Sequence, residues 1–211
     1  MKPKPKTPRG TECGTSVDDA AGTDGQSSGT EPPPVRKWEV LGRRSLYNSR
    51  WVNLSLVRVA PPGREPYEHH VAGVPDAVGV VLRHPDRGVL LLHRHRFITD
   101  TVGYEIPAGG IDAGETVEQA AARELLEETG WTVRDTAPLL SCNASDGVSD
   151  QRFHFVLAHA GEFQGTPVDD HEATSRVWAD KARLTRLIAE GAVPGSLSTV
   201  ALLYALHFGH L

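Results

Sequence analysis

The chain has 211 residues, a formal net charge of −5 and 39% hydrophobic residues, enough for one domain with a buried core plus a tail. That charge excludes a global pull toward nucleic acid or an anionic membrane, and no apolar run approaches the ~20 residues that span a bilayer. The only cysteines, Cys13 and Cys142, are far apart in sequence, so neither a structural disulfide nor a cysteine-based zinc site is expected.

Residues 1–37 contain no Leu, Ile, Phe, Trp or Tyr and are rich in Pro, Gly, Ser, Thr and Asp. Such a segment cannot bury enough apolar surface to offset its ordering entropy. It is predicted to be a disordered tail, with the folded domain over 38–211. Its basic start is followed by no apolar segment and does not read as a secretory signal, so a cytoplasmic location is expected.

Short strands are predicted at 38–43, 51–60 and 67–72, punctuated by the turn residues Pro61, Pro62 and Gly63. Segments 76–83 (DAVGVVLR) and 88–97 (GVLLLHRHRF) read as neighbouring strands joined by a hairpin. A short strand at 103–106 ends before Pro107. A helix follows: Thr116 and Gln119 fit a capping box, Gly130 is the C-terminal stop, and the alanines and leucines between favour helix. Strands are predicted at 133–141, 151–159 and 174–179, and helices at 180–190 and 196–208. This order suggests α/β or α+β layering.

Within the first helix, Glu124, Glu127 and Glu128 are spaced i, i+3, i+4 and share one face. Like charges at that spacing destabilise a helix by about 0.2–0.5 kcal/mol per pair, and the negative end of the helix dipole adds to the penalty. Arg123 alone cannot neutralise three anions. The pattern is that of a glutamate-rich solvated face or of a site for a hard cation, Mg²⁺ or Mn²⁺ in preference to zinc. Removing one like charge, as in Glu128→Gln, is expected to cut turnover and leave the fold intact.

The whole segment 109–131 narrows the choice. Gly109, five residues, Glu115, seven residues, Arg123-Glu124, Leu125, one residue, Glu127-Glu128, one residue, Gly130 and Trp131 resembles the Nudix box position for position. A chance match at a given start is on the order of 10⁻⁹ from average residue usage. The resemblance implies the Nudix fold, a mixed β-sheet sandwiched between helices with an N-terminal antiparallel strand region, and a metal-dependent pyrophosphohydrolase. It further implies that Glu124, Glu127, Glu128 and Ala108 ligate Mg²⁺ (or Mn²⁺), and that Arg123 orients a box carboxylate. Gly109 and Gly110 would let the loop backbone approach closely, Gly130 would close the box, and Glu115 would support the loop and the surroundings of the metal.

Outside the box the chain resembles the ADP-ribose and nucleoside diphosphate sugar pyrophosphatase branch. The carriers are Trp38, Trp51 and 75–78 (PDAV), then 103–109 (GYEIPAG), then 145–154 (SDGVSDQRFH). By that resemblance Trp38 and Trp51 are candidates to stack on the base, or to pack in a core or interface. Arg94 and Arg96 share a strand face, and either could clamp a phosphate, Arg96 matching an arginine of the branch. Glu105 is a substrate contact or half of a buried ion pair. In the loop 169–172, Glu172, with Asp170 second, matches the branch's catalytic base or additional metal ligand. His154 and His159 read as solvent-facing strand residues. ADP-ribose enzymes carry a proline where this chain has Asp146, which argues against ADP-ribose itself and leaves other nucleotide sugars open. Implied partners are a small nucleotide substrate and a second copy of the chain as a homodimer. Dinucleotides, nucleoside triphosphates and capped RNA are alternative substrates, although the acidity disfavours long RNA. A nucleotide-binding regulatory module would be expected to show an eroded box; here every box carboxylate is present.

Overall fold

The computed structural model describes residues 34–167 and 175–211. The tail up to residue 33, and the acidic loop holding Asp170 and Glu172, lie outside them. Strands β1 (Glu39–Asn48), β2 (Asn53–Ala60) and β3 (Tyr67–Gly73) form a three-stranded antiparallel sheet in that order. β1 is longer than the expected 38–43 because it pairs with β2 along its whole length, down to Asn48 opposite Asn53. Between them the hydroxyl of Ser49 accepts from the N–H groups of Trp51 and Val52. This local bond competes with the ladder and places Trp51 in the turn, where the sequence had suggested a strand start.

The second sheet holds β4 (Ala77–His84), β5 (Gly88–Arg96), β6 (Thr101–Glu105), β7 (Ala108–Gly110), β8 (Trp131–Asn143), β9 (Arg152–Phe163) and β10 (Ser175–Ala179). Its central path is β10-β5-β4-β9-β8, with β6 on β5 and β7 on β4. β4 and β9 run parallel and the remaining pairs antiparallel, which makes the sheet mixed as implied. β4 meets β5 only at Arg83 and His84. Its earlier residues take β7 as partner, Gly79 opposite Ala108 and Val78 opposite Gly109. No sequence pattern announces a three-residue strand with two glycines.

Helices cover both faces, and the side-chain alternation of β4 shows how. Val78, Val80 and Leu82 join a cluster with Ala120, Ala121 and Leu125 of α1 (Val117–Thr129). Val81, with Leu91 and Phe155, joins another containing Leu184 of α2 (Lys181–Ala189) and Ala201 and Leu202 of α3 (Ser196–His207). A strand buried on both sides reads as a continuous apolar run, as β4 does. Helix α1 is capped as expected: Thr116 Oγ1 accepts from Gln119 N, and Gln119 Oε1 accepts from Thr116 N at 2.8 Å. Gly130 ends it with φ 74°, in the left-handed region that glycine enters without a Cβ penalty.

Candidate active site

Helix α1 presents its carboxylates beside β7, and Arg123 gathers them. Its Nε and Nη2 each donate at 2.8 Å to a different oxygen of Glu115, and Nη2 also reaches Gly110 O at 2.9 Å. Its Nη1 donates to Glu124 at 2.7 Å and to Glu127 at 3.3 Å. A planar fork suits this multiple engagement where an ammonium would not. Glu115 also accepts from Asp112 N. The hydrogen bond from Arg123, and secondarily that from Asp112 N, hold the Glu115 carboxyl down at about 2. Arg123 is correspondingly raised above its ordinary value, Glu115 being the main cause. The absence of a side chain at Gly109 has a direct local reason: a Cβ there would overlap the Glu124 carboxylate. At Gly110 a Cβ would meet nothing.

Glu128 points the other way, into the protein. Arg94 Nη2 donates to its Oε1 at 2.7 Å, and the two residues are 3% and 4% exposed. The other oxygen of Glu128 accepts from Ala108 N at 2.9 Å. Burial pushes the Glu128 carboxyl above its usual range; Arg94 opposes that shift. Two residues further along β5, Arg96 donates from Nε to both oxygens of Glu105 and from Nη2 at 2.6 Å. Glu105 also lies 3.7 Å from Arg94 Nε. The two arginines do share a face, but that face is covered: Arg94 is enclosed by the glutamates, whereas the head of Arg96 stays half exposed.

Five carboxylates, Glu105, Glu115, Glu124, Glu127 and Glu128, therefore meet three guanidiniums. An excess of hard anionic oxygen is the donor chemistry that Mg²⁺ or Mn²⁺ requires. Among the described residues no three Asp, Glu, His or Cys side chains already converge as a cage; the guanidiniums lie between the carboxylates.

A cavity of about 850 Å³ opens beside this cluster, lined by Arg94, Arg96, Glu105 and Ala108. Sequence reading missed its other walls: Phe97, Ile98 and Thr99 at the tip of the β5–β6 hairpin, and Pro194 to Ser198 at the start of α3. The signal for the first was available, since Phe97 and Ile98 are consecutive apolar residues at the end of the strand segment; both are largely exposed. Also missed was Arg176 of β10, whose Nε donates at 2.6 Å to the backbone carbonyl of Glu128.

The aromatic candidates lie elsewhere. Trp51 lines a second concavity of about 560 Å³ together with Asp76, Asp150 and Arg152, and the Arg50 guanidinium sits 4.2 Å above its ring. Trp38 packs edge-on against Tyr67. Neither tryptophan is among the residues lining the cavity of Arg96. His154 bridges Ser141 and Asp76, and His159 pairs with Asp135. Asp146 sits in a turn closed by Val148 N and Ser149 N donating to Ser145 O.

The family model described as NUDIX domain matches residues 73–196. A CMP-5'-(N-acetyl-N-hydroxy-3-aminopropyl)phosphonate hydrolase of Streptomyces rubellomurinus is 32% identical over 173 residues, spanning 82% of this chain and 84% of that protein. An ADP-ribose pyrophosphatase of Bacillus subtilis is 26% identical over 120 residues, spanning 57% of this chain and 65% of that protein. The solved structure of an ADP compounds hydrolase superposes with a TM-score of 0.73 over 83% of this chain and 95% of that one; at 21% identity the likeness is one of fold.

Proposed function

The chain belongs to the Nudix hydrolases, and from that premise we propose that this pyrophosphohydrolase splits the diphosphate of ADP-ribose or another nucleotide sugar. The products would be a nucleoside monophosphate and a sugar phosphate. The observation that carries the reading is the cavity that displays the half-exposed Arg96 and is joined to Glu128 through two of its lining residues, Arg94 and Ala108. Glu124, Glu127, Glu128 and Ala108 would hold Mg²⁺, or Mn²⁺ in its place; when bound, such an ion lowers the pKa of water and offsets charge developing on phosphate oxygens. Arg123 holds the Glu124 and Glu127 carboxylates together on one guanidinium nitrogen, and Arg94 holds Glu128. Arg96, backed by Glu105 and half exposed in the cavity, is the candidate to contact a substrate phosphate. Glu172 is our candidate for the general base, on resemblance alone. Trp51, exposed in its own concavity, and Trp38 are candidates to stack on the base.

We further propose a homodimer. Val40, Leu41, Leu46 and Tyr47 of β1 are exposed, and β1 is the edge of a three-stranded sheet, a surface that a second copy would cover. A cytoplasmic location is proposed with it; among the described residues no helix is long and apolar enough to cross a membrane.

A second reading has its own support. The Streptomyces relative, matched over 84% of its length, is named for a CMP-linked phosphonate, which supports a phosphonate rather than a sugar phosphate as the group beyond the anhydride. One experiment tests both. Purified protein with Mg²⁺ is offered ADP-ribose, UDP-, GDP- and ADP-sugars, a CMP-phosphonate, NADH, diadenosine polyphosphates and nucleoside triphosphates, and the products are separated by chromatography. Turnover of a nucleotide sugar to two monophosphates supports the first reading, and preference for the CMP-phosphonate supports the second. Activity confined to triphosphates or dinucleotides overturns both.

A further inference from the structure

The C-terminal end of α1 poses an electrostatic problem that the helix does not solve itself. Its last turn contains no basic residue, yet that end carries the negative pole of the helix dipole together with Glu127 and Glu128. The cation is supplied by another strand. Arg176 stands on β10 opposite Leu92 of β5, and Leu92 is two residues from Arg94, so both arginines rise from the same sheet face as diagonal neighbours. Arg94 takes the Glu128 side chain and Arg176 takes the Glu128 main-chain carbonyl. Glu128 is thus gripped at both ends, and the backbone from which its carboxylate projects is fixed from outside the box.

We propose that Arg176 is a positioning residue for the metal site, acting through the Glu128 carbonyl without touching metal or substrate. The proposal rests on the reading that the box carboxylates hold the divalent ion. Outer partners that orient a metal's ligands change affinity or activity by about 10–100-fold when removed. A lysine places its ammonium one atom further along the side chain than Nε and has no planar fork, so it should restore the contact only in part.

The test is binding of Mn²⁺ to the metal-free full-length protein, read from the electron paramagnetic resonance of free Mn²⁺, with kcat, KM and thermal melts alongside. Arg176→Gln should bind Mn²⁺ about tenfold more weakly and lose kcat while the substrate KM changes less than about threefold, and Arg176→Lys should recover only in part, binding about two- to threefold more weakly than wild type. Wild-type Mn²⁺ affinity in folded Arg176→Gln, or equal loss in both variants, overturns the proposal. If Arg176→Gln does not fold, Arg176→Lys decides alone: weaker Mn²⁺ binding supports the role and unchanged binding refutes it. Glu124→Gln separates the two ideas. Should it lose Mn²⁺ while Arg176→Gln does not, Arg176 alone is misassigned; should it also bind as wild type, the metal reading falls and takes this one with it.

Discussion

Replacing Glu128 by glutamine should destabilise the metal-free protein, even though the sequence alone suggests relief of a like-charge clash. Two effects oppose each other at this position. Burial already holds the Glu128 carboxyl above its usual range, so neutralising it removes a penalty, and the i, i+4 repulsion from Glu124 goes with it, about 0.2–0.5 kcal/mol. Against this stands Arg94, 3% exposed, which cannot shed its proton and would lose its 2.7 Å carboxylate partner, with Glu105 farther off at 3.7 Å. Removing one partner of a buried pair typically costs about 3–5 kcal/mol. With Glu105 still present and the repulsion gone, about 2–3 kcal/mol is expected, at and just below the lower bound of that range. For a domain of this size each kcal/mol moves Tm by about 2–4 °C, so the loss is roughly 4–12 °C. Thermal melts in EDTA measure it without interference from bound ions. Arg94→Met combined with Glu128→Gln removes both charges and should return most of the loss. A single Glu128→Gln variant that melts at or above wild type would refute the reasoning.

Arg123→Lys should lose the fork on Glu115, whose carboxyl would rise from about 2 toward the ordinary glutamate value of 4.5, as carbon-detected NMR titration would show. Because the folded pKa is lowered, the stability this pair contributes is present above pH 4.5 and fades as pH falls toward 2; in Arg123→Lys that acid-side loss should be shallower. Gly109→Ala should push the Glu124 carboxylate aside; a displacement near 1 Å costs about 10²-fold in rate, so kcat should collapse while the far-ultraviolet spectrum stays unchanged. Thr116→Ala removes the half of the capping box that the hydroxyl accepts from Gln119 N, leaving Gln119 Oε1 on the backbone N–H of residue 116, and should cost about 1 kcal/mol by chemical denaturation, with activity on a saturating substrate little altered.

The sequence carried the helix and its charges well because both are local. Thr116 and Gly130 mark the ends of α1 through their own backbone bonds, and the glutamate spacing follows from 3.6 residues per turn. Alternation also put Arg94 and Arg96 on one face. It could not say that the face is covered, so the burial of Arg94 against Glu128 was illegible. β7 was missed because its partner is β4, some thirty residues earlier, and its composition argues against a strand. Trp51 was read as strand because apolar residues follow it, whereas the Ser49 hydroxyl turns the chain there. The cavity unites residues 94–108 with 194–198, and Arg176 meets Glu128 across 48 positions. Pairings at that separation leave no periodic trace.

The β5 strand divides labour along its length. Its middle is locked to the centre of the sheet and to Glu128, so change there unseats the carboxylates. Its far end runs out into the Phe97, Ile98 and Thr99 tip, which borders the cavity and is otherwise exposed. Surface positions away from packing or pairing tolerate substitution within about ±0.5 kcal/mol. A descendant of this gene could therefore rewrite a few codons at that tip and acquire a different leaving group, with its hydrolytic core inherited intact.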